Sequence, residues 1–199
     1  TNVDHRGMTL NARVVHNDPL PNDTLGNTHV IIRDLTFEHY YDDLNPSNLA
    51  AAIKIRRGPH HHITVEGCTF RDLHNGINDV DEKLVDWPKY LTYQNNTFER
   101  VHGVGVRTGT IQVLVQNNTF RNISTLPGQT GPYFADATAI VSNADDCIIR
   151  FNVLDSLGGS GINASGRNDT TYVGSHRVEN NFISNACMAL NDHAAITFD

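Results

Sequence analysis

Three stretches decide how this chain is read: Val65-Glu-Gly-Cys-Thr-Phe70, Tyr93-Gln-Asn-Asn-Thr-Phe98 and Val115-Gln-Asn-Asn-Thr-Phe120. They are copies of one phrase. Looser copies stand before them at Ile32-Arg-Asp-Leu-Thr-Phe37 and after them at Ile149-Arg-Phe-Asn-Val-Leu154 and Val178-Glu-Asn-Asn-Phe-Ile183. The anchors at 37, 70, 98, 120, 154 and 183 are spaced by 33, 28, 22, 34 and 29 residues. The spacing varies upward from a floor, as it does when insertions sit at the corners of a repeating unit.

Working outward, the columns have physical sense. Seven residues before each anchor stand Val30, Ile63, Leu91, Val113, Cys147 and His176; five before stand Ile32, Val65, Tyr93, Val115, Ile149 and Val178. These two columns are mainly apolar and the column between them is mixed, which is strand alternation. A further apolar column follows three after the anchor, in Leu73, Val101, Ile123 and Leu157. A second short strand then begins small-then-apolar: Ala52-Ile, Gly76-Ile, Gly105-Val, Ala139-Ile, Gly161-Ile and Ala189-Leu. Strand and turn repeating at this interval predict coils whose equivalent residues stack at the ~4.8 Å strand spacing. Long insertions fall at Tyr41–Asn48, Asp79–Pro88, Thr125–Ala135 and Arg167–Gly174.

Composition agrees. With 22 Asn and 17 Asp against 5 Glu and 3 Lys, turn formers abound and helix formers are scarce. That argues against a helical bundle or a doubly wound α/β domain. The net charge of −7 speaks against a nucleic-acid partner. No apolar run reaches the ~20 residues of a membrane helix, and no basic segment leads into an apolar one as in a signal peptide. The three cysteines, Cys68, Cys147 and Cys187, are too few for a disulfide scaffold.

The repeat resembles the right-handed parallel β-helix superfamily, which includes pectate lyases, other polysaccharide lyases, alginate epimerases and phage tailspike depolymerases. The likeness covers residues 28–199, with a weaker coil at Met8–Val15. It implies an all-β, right-handed parallel β-helix (a β-solenoid) of six to seven coils. The whole of 1–199 is expected to form one domain, and its strand-like end at Ala194–Asp199 is expected to meet further coils of a longer chain or a partner. Asn96, Asn118, Asn152 and Asn181 share the column two before the anchor, where the superfamily carries an inward asparagine ladder. Leu35 and Cys68 hold that column earlier, so the ladder is expected to start at Asn96.

Chemistry on a solenoid comes from one column on successive coils. The outward position of the second strand carries Lys54, Asn78, Arg107, Val141, Asn163 and Asn191; two further on lie Arg56 and His193. Cations beside amides suit a uronate: they pair with its carboxylate and stabilise the charge that develops when the α-proton leaves. The run Ile53–Phe70 is similar to a segment of the alginate-lyase and chondroitinase B branch, which uses a Lys, an Arg and carboxylate-held calcium. Lys54, Arg107 and His102 are therefore the expected catalytic residues. Arg56, Asn78, His74, Asn163 and His193 are the expected substrate-binding ones. Asp79 and Asp81 are the expected calcium ligands. Against this stands the plain reading of Lys54 and Arg107 as solvated surface residues.

His74 and His102 share a corner column and suit acid–base or metal chemistry; polar corner residues are the competing reading. In His60-His-His62, alternation sends His60 and His62 to one face and His61 to the other, and no carboxylate is spaced to complete a metal site. The triplet therefore reads as the start of a strand. Asp145-Asp146 precedes a strand and reads as a turn. The expected function is a carbohydrate-active protein, most simply a lyase acting by β-elimination on an acidic polysaccharide, secreted or at the cell surface. The alternative is a non-catalytic glycan-binding, adhesive or structural solenoid segment of a larger surface or phage protein.

Overall fold

A computed structural model describes residues 8–11, 27–39, 51–56, 60–80, 88–126, 137–143, 145–165, 175–190 and 194–198, the side chains of 8–11 and 56 excepted. The chain winds as a parallel β-solenoid of about six coils, each turn adding one strand to each of three sheets. The Lys54 sheet orders seven strands: Met8–Asn11, Ile53–Arg56, Ile77–Asn78, Val106–Thr108, Ile140–Ser142, Ile162–Ala164 and Ile196–Phe198. The Thr64 sheet orders Thr28–Arg33, His61–Glu66, Lys89–Gln94, Ile111–Gln116, Ile148–Arg150 and Arg177–Glu179. The Phe70 sheet orders Thr36–Glu38, Thr69–Leu73, Thr97–Val101, Thr119–Ile123, Val153–Leu157 and Phe182–Ser184. Among the described residues no helix is long and apolar enough to cross a membrane.

The anchors stack as their spacing predicts. Phe37, Phe70, Phe98 and Phe120 lie ring on ring, with centroids 5.1, 4.7 and 4.6 Å apart and planes within 9° of parallel. Leu154 and Ile183 continue the column in register. The column is buried from Phe37 to Leu154, while Ile183 in the last coil is half-buried. The ring stack also explains the glycines that open two of the Lys54-sheet strands. A Cβ on Gly76 would stand 2.6 Å from Phe98 Cε1, and one on Gly105 2.7 Å from Phe120 Cε1.

Corners follow from backbone conformation. Asp34, Gly67, Asn95, Asn117, Phe151 and Asn180 all hold the left-handed conformation, one per coil, between the Thr64 and Phe70 sheets. Asn, Asp and Gly enter that region at low cost, which is why Asn-Asn-Thr marks the repeat. The next residue turns inward and builds the ladder. Asn118 Oδ1 accepts from the backbone N–H and the Nδ2 of Asn96 at 2.9 and 3.1 Å. Asn118 Nδ2 donates to the Tyr93 carbonyl and to Asn152 Oδ1 at 2.9 and 3.0 Å. Asn152 repeats the pattern with Val115 and Asn181. The ladder opens where expected, at Asn96 Oδ1, which accepts from the N–H of Cys68. All three cysteines are free thiols.

The last coil corrects one expectation. Asn163 pairs with Thr197, so the final Lys54-sheet strand is Ile196–Phe198 and not the run at Ala189. The cause is an insertion. The backbone N–H groups of Cys187, Met188, Ala189 and Leu190 donate to carbonyls of Leu157, Gly158 and Gly159, folding these residues onto the preceding corner before the strand begins.

Candidate functional site

Register sets the candidate site. Lys54 pairs with Asn78, Asn78 with Arg107, Arg107 with Val141, Val141 with Asn163 and Asn163 with Thr197. The structure thus brings Lys54, Asn78 and Arg107 onto three successive strands in one outward column. Lys54 and Arg107 are two strand spacings apart, about 10 Å. Thr9 precedes Lys54 in the same register, and Asn11 pairs with Arg56. The Arg56 side chain, Asp81 and His193 lie outside the described residues.

The column is not an open ledge. Lys54, Arg107 and Asn163 are half-buried, whereas Asn78 and Val141 are each only 2% exposed. Asn78 Oδ1 accepts from the N–H of Val80 at 3.0 Å, so part of its polar capacity is spent locally. His74 and His102 sit on consecutive coils at the corner that leads into this sheet. The N–H of His102 donates to the Leu73 carbonyl, and that of Gly103 to the His74 carbonyl, at 2.9 and 2.7 Å. Ser124 Oγ on the next coil lies within 2.9 Å of the His102 carbonyl and 2.7 Å of the Gly103 carbonyl, which fixes the corner further.

Asp79 takes a different place from the one its sequence context suggests. It is fully buried inside the solenoid. Its Oδ2 accepts from the Tyr93 hydroxyl at 2.6 Å and its Oδ1 from the N–H of Gly109 at 2.8 Å. Burial raises its carboxyl to about 6, against the lowering effect of the bonds from Tyr93 and Gly109. To hold a surface calcium, Asp79 would have to leave both partners and turn outward. Nearby, burial pushes the Cys147 thiol up to about 12, although a hydrogen bond with Ser142 opposes the shift. Among the described residues no group of three or more His, Cys, Asp or Glu side chains is set to hold a metal ion.

Sequence reasoning missed the Asp79–Tyr93 pair, yet a signal was there. In the interior column five before the anchor, Tyr93 alone has a polar tip, and a buried hydroxyl needs a partner. It also missed an outer ladder on the Thr64 sheet. Gln94 Nε2 donates to Glu66 Oε2, Gln116 Nε2 to Gln94 Oε1 and Arg150 Nε to Gln116 Oε1, at 2.9, 2.9 and 3.0 Å. Other outward columns pair their charges between coils, as in Arg71–Glu38 at 2.6 Å and Arg100–Asp72 at 2.6 and 2.8 Å. Such exposed pairs add little stability. They do neutralise cations that an acidic polymer would otherwise meet.

The triplet at 60–62 also departs from simple alternation. His60 is buried and its Nδ1 accepts from the N–H of Asn27 at 3.0 Å. His62 takes φ 55°, which turns its side chain to the same side as that of His61. Their Nδ1 atoms are 2.9 Å apart.

Compared with known proteins, the chain matches no family model, no curated protein and no solved structure.

Proposed function

We propose that the chain acts on an acidic, uronate-containing polysaccharide, most simply as a lyase by β-elimination, and that it works outside the cell or at its surface. The observation that supports this most is the register of Lys54, Asn78 and Arg107 on three adjacent strands, beside the His74/His102 corner. In this reading Arg107 pairs with the uronate carboxylate, which acidifies the adjoining C–H and spreads the charge that forms there. Asn78 orients the carboxylate, Lys54 or His102 takes the α-proton, and the departing sugar oxygen leaves with a proton from the other. Asn163, in the same register on a later strand, extends the contact along the polymer. Calcium held near Asp81 belongs to the same proposal.

A second reading is a non-catalytic solenoid segment that binds glycan, adheres or builds a larger surface protein. The near-complete burial of Asn78 and Val141 favours it, because the centre of the column offers a polymer little access. The two readings separate in one experiment. Incubation with a panel of acidic polysaccharides, followed by the ultraviolet absorbance of the unsaturated uronate product, is expected to show turnover. Arg107→Ala is expected to remove that turnover with the circular dichroism spectrum unchanged. Turnover that survives both Lys54→Ala and Arg107→Ala moves the active site off this face. Binding without product on any polymer establishes the second reading.

A further inference from the structure

The Thr64 sheet carries an imidazole cluster that the proposed polysaccharide chemistry does not use. His29 and His62 stack with centroids 4.8 Å apart and planes 4° from parallel. Tyr90 stacks on His62 from the next coil at 4.8 Å. His61 meets both imidazoles edge-on, at 5.7 Å from His29 and 5.1 Å from His62. The three stacked residues all hold left-handed backbone, with φ of 55°, 55° and 58°. In the equivalent corner column five residues on, the same conformation is given mostly to Asn, Asp and Gly. Here three rings hold it, with Gln112 and Asp146 on the following coils.

We infer that His61 and His62 form a two-imidazole site for a divalent transition ion that prefers right-angled nitrogen donors, copper(II) or nickel(II). Metal–imidazole bonds of about 2.0–2.1 Å set at a right angle place their nitrogens about 2.9 Å apart. That is the separation of the two Nδ1 atoms. A tetrahedral pair needs a wider bite of about 3.3 Å, so zinc fits less well. Without metal, one N–H spans the two nitrogens. A swing of the His61 ring lets both lone pairs meet at a shared ion, and the proton on the donor Nδ1 moves to its own Nε2. No proton is lost and no redox step is involved. The His62 ring is clamped between His29 and Tyr90, so one ligand is held in place beforehand. While His29 stays parallel to His62 the two in-plane lone pairs do not converge, so water fills the other positions. Calcium is excluded by donor type, since it takes oxygen ligands.

The site stands independently of any activity on polysaccharide. The test is calorimetric titration of the full chain, free of any affinity tag, with copper(II), nickel(II), zinc(II) and calcium chlorides, alongside the electron paramagnetic resonance spectrum of the copper form. One equivalent of copper is expected to bind, with nickel ahead of zinc and no calcium uptake. The copper spectrum is expected to show two imidazole nitrogens. His61→Ala and His62→Asn should each weaken copper binding at least about tenfold. Asn is chosen at 62 because it accepts the left-handed backbone. His39→Asn, at a left-handed position in another column, should leave affinity unchanged. Affinity retained in both variants, a copper spectrum without nitrogen donors, or zinc bound ahead of nickel overturns the inference.

Discussion

The solenoid buries polar groups in two ways, and they behave oppositely. The asparagine ladder from Asn96 to Asn181 is neutral and repeats the same bonds on every coil. Asn118, Asn152 and Asn181 each accept two N–H groups, and each of the four amides donates to one backbone carbonyl, so nothing in it must be ionised. The Asp79–Tyr93 pair occurs once and carries an ionisable group in a place that disfavours its charge. A neutral repeating network supports its neighbours at any pH. A solitary buried carboxylate makes local stability depend on a proton.

Breaking the ladder at its centre should have the larger effect. Asn118→Ala orphans the Asn96 N–H and the Tyr93 carbonyl and leaves Asn152 short of a donor. At about 1–3 kcal/mol for each buried group left without a partner, the loss should be about 4 kcal/mol in denaturant titration. A loss under about 1 kcal/mol would show that water replaces the amide.

The Asp79 pair is probed by pH. Its carboxyl lies at about 6 in the folded chain against an ordinary 3.8, so over that window the folded state holds a proton that the unfolded state has released. Stability should therefore fall as pH rises through the window. It should be about 3 kcal/mol lower above pH 7 than below about pH 3, as far as this group alone is concerned. Asp79→Asn should remove that slope and stabilise the chain at neutral pH. A variant with the wild-type slope would place the titration elsewhere.

Tyr93→Phe sharpens the contrast with a smaller change. It deletes the hydroxyl that lowers the Asp79 carboxyl, so the midpoint of the stability–pH curve should move upward. The accompanying loss at neutral pH should be about 1 kcal/mol. An unmoved midpoint would mean that the Gly109 N–H alone holds the carboxylate.

The fold was legible because a solenoid writes its architecture into columns. Phe70, Phe98 and Phe120 stack because they occupy one position of a repeat, and the same alignment located the Asn96 ladder. The second-strand column was legible for the same reason, placing Lys54, Asn78 and Arg107 in register. What the columns do not carry is the state of an individual corner. The positive φ at His62 reverses the side on which its ring lies, and period-2 alternation contains no sign of it. The insertion before Ile196 displaced the last strand, because residues 187–190 find hydrogen-bond partners on the Gly158 corner. Asp79 looked like a loop carboxylate, since it follows an outward residue and opens a polar run. Its inward turn is set by Tyr93, which lies 14 residues on and a strand away.

The ladder also gives the solenoid a sense of direction. From Asn96 to Asn118, Asn152 and Asn181, every Nδ2 donates to the Oδ1 of the following coil, so the amide vectors all run the same way along the axis. Aligned dipoles polarise one another, and each additional coil strengthens those already formed. A stack built this way is a polar rod whose two ends differ chemically: an amide oxygen faces the Cys68 side, while an amide NH₂ faces the Asn181 side.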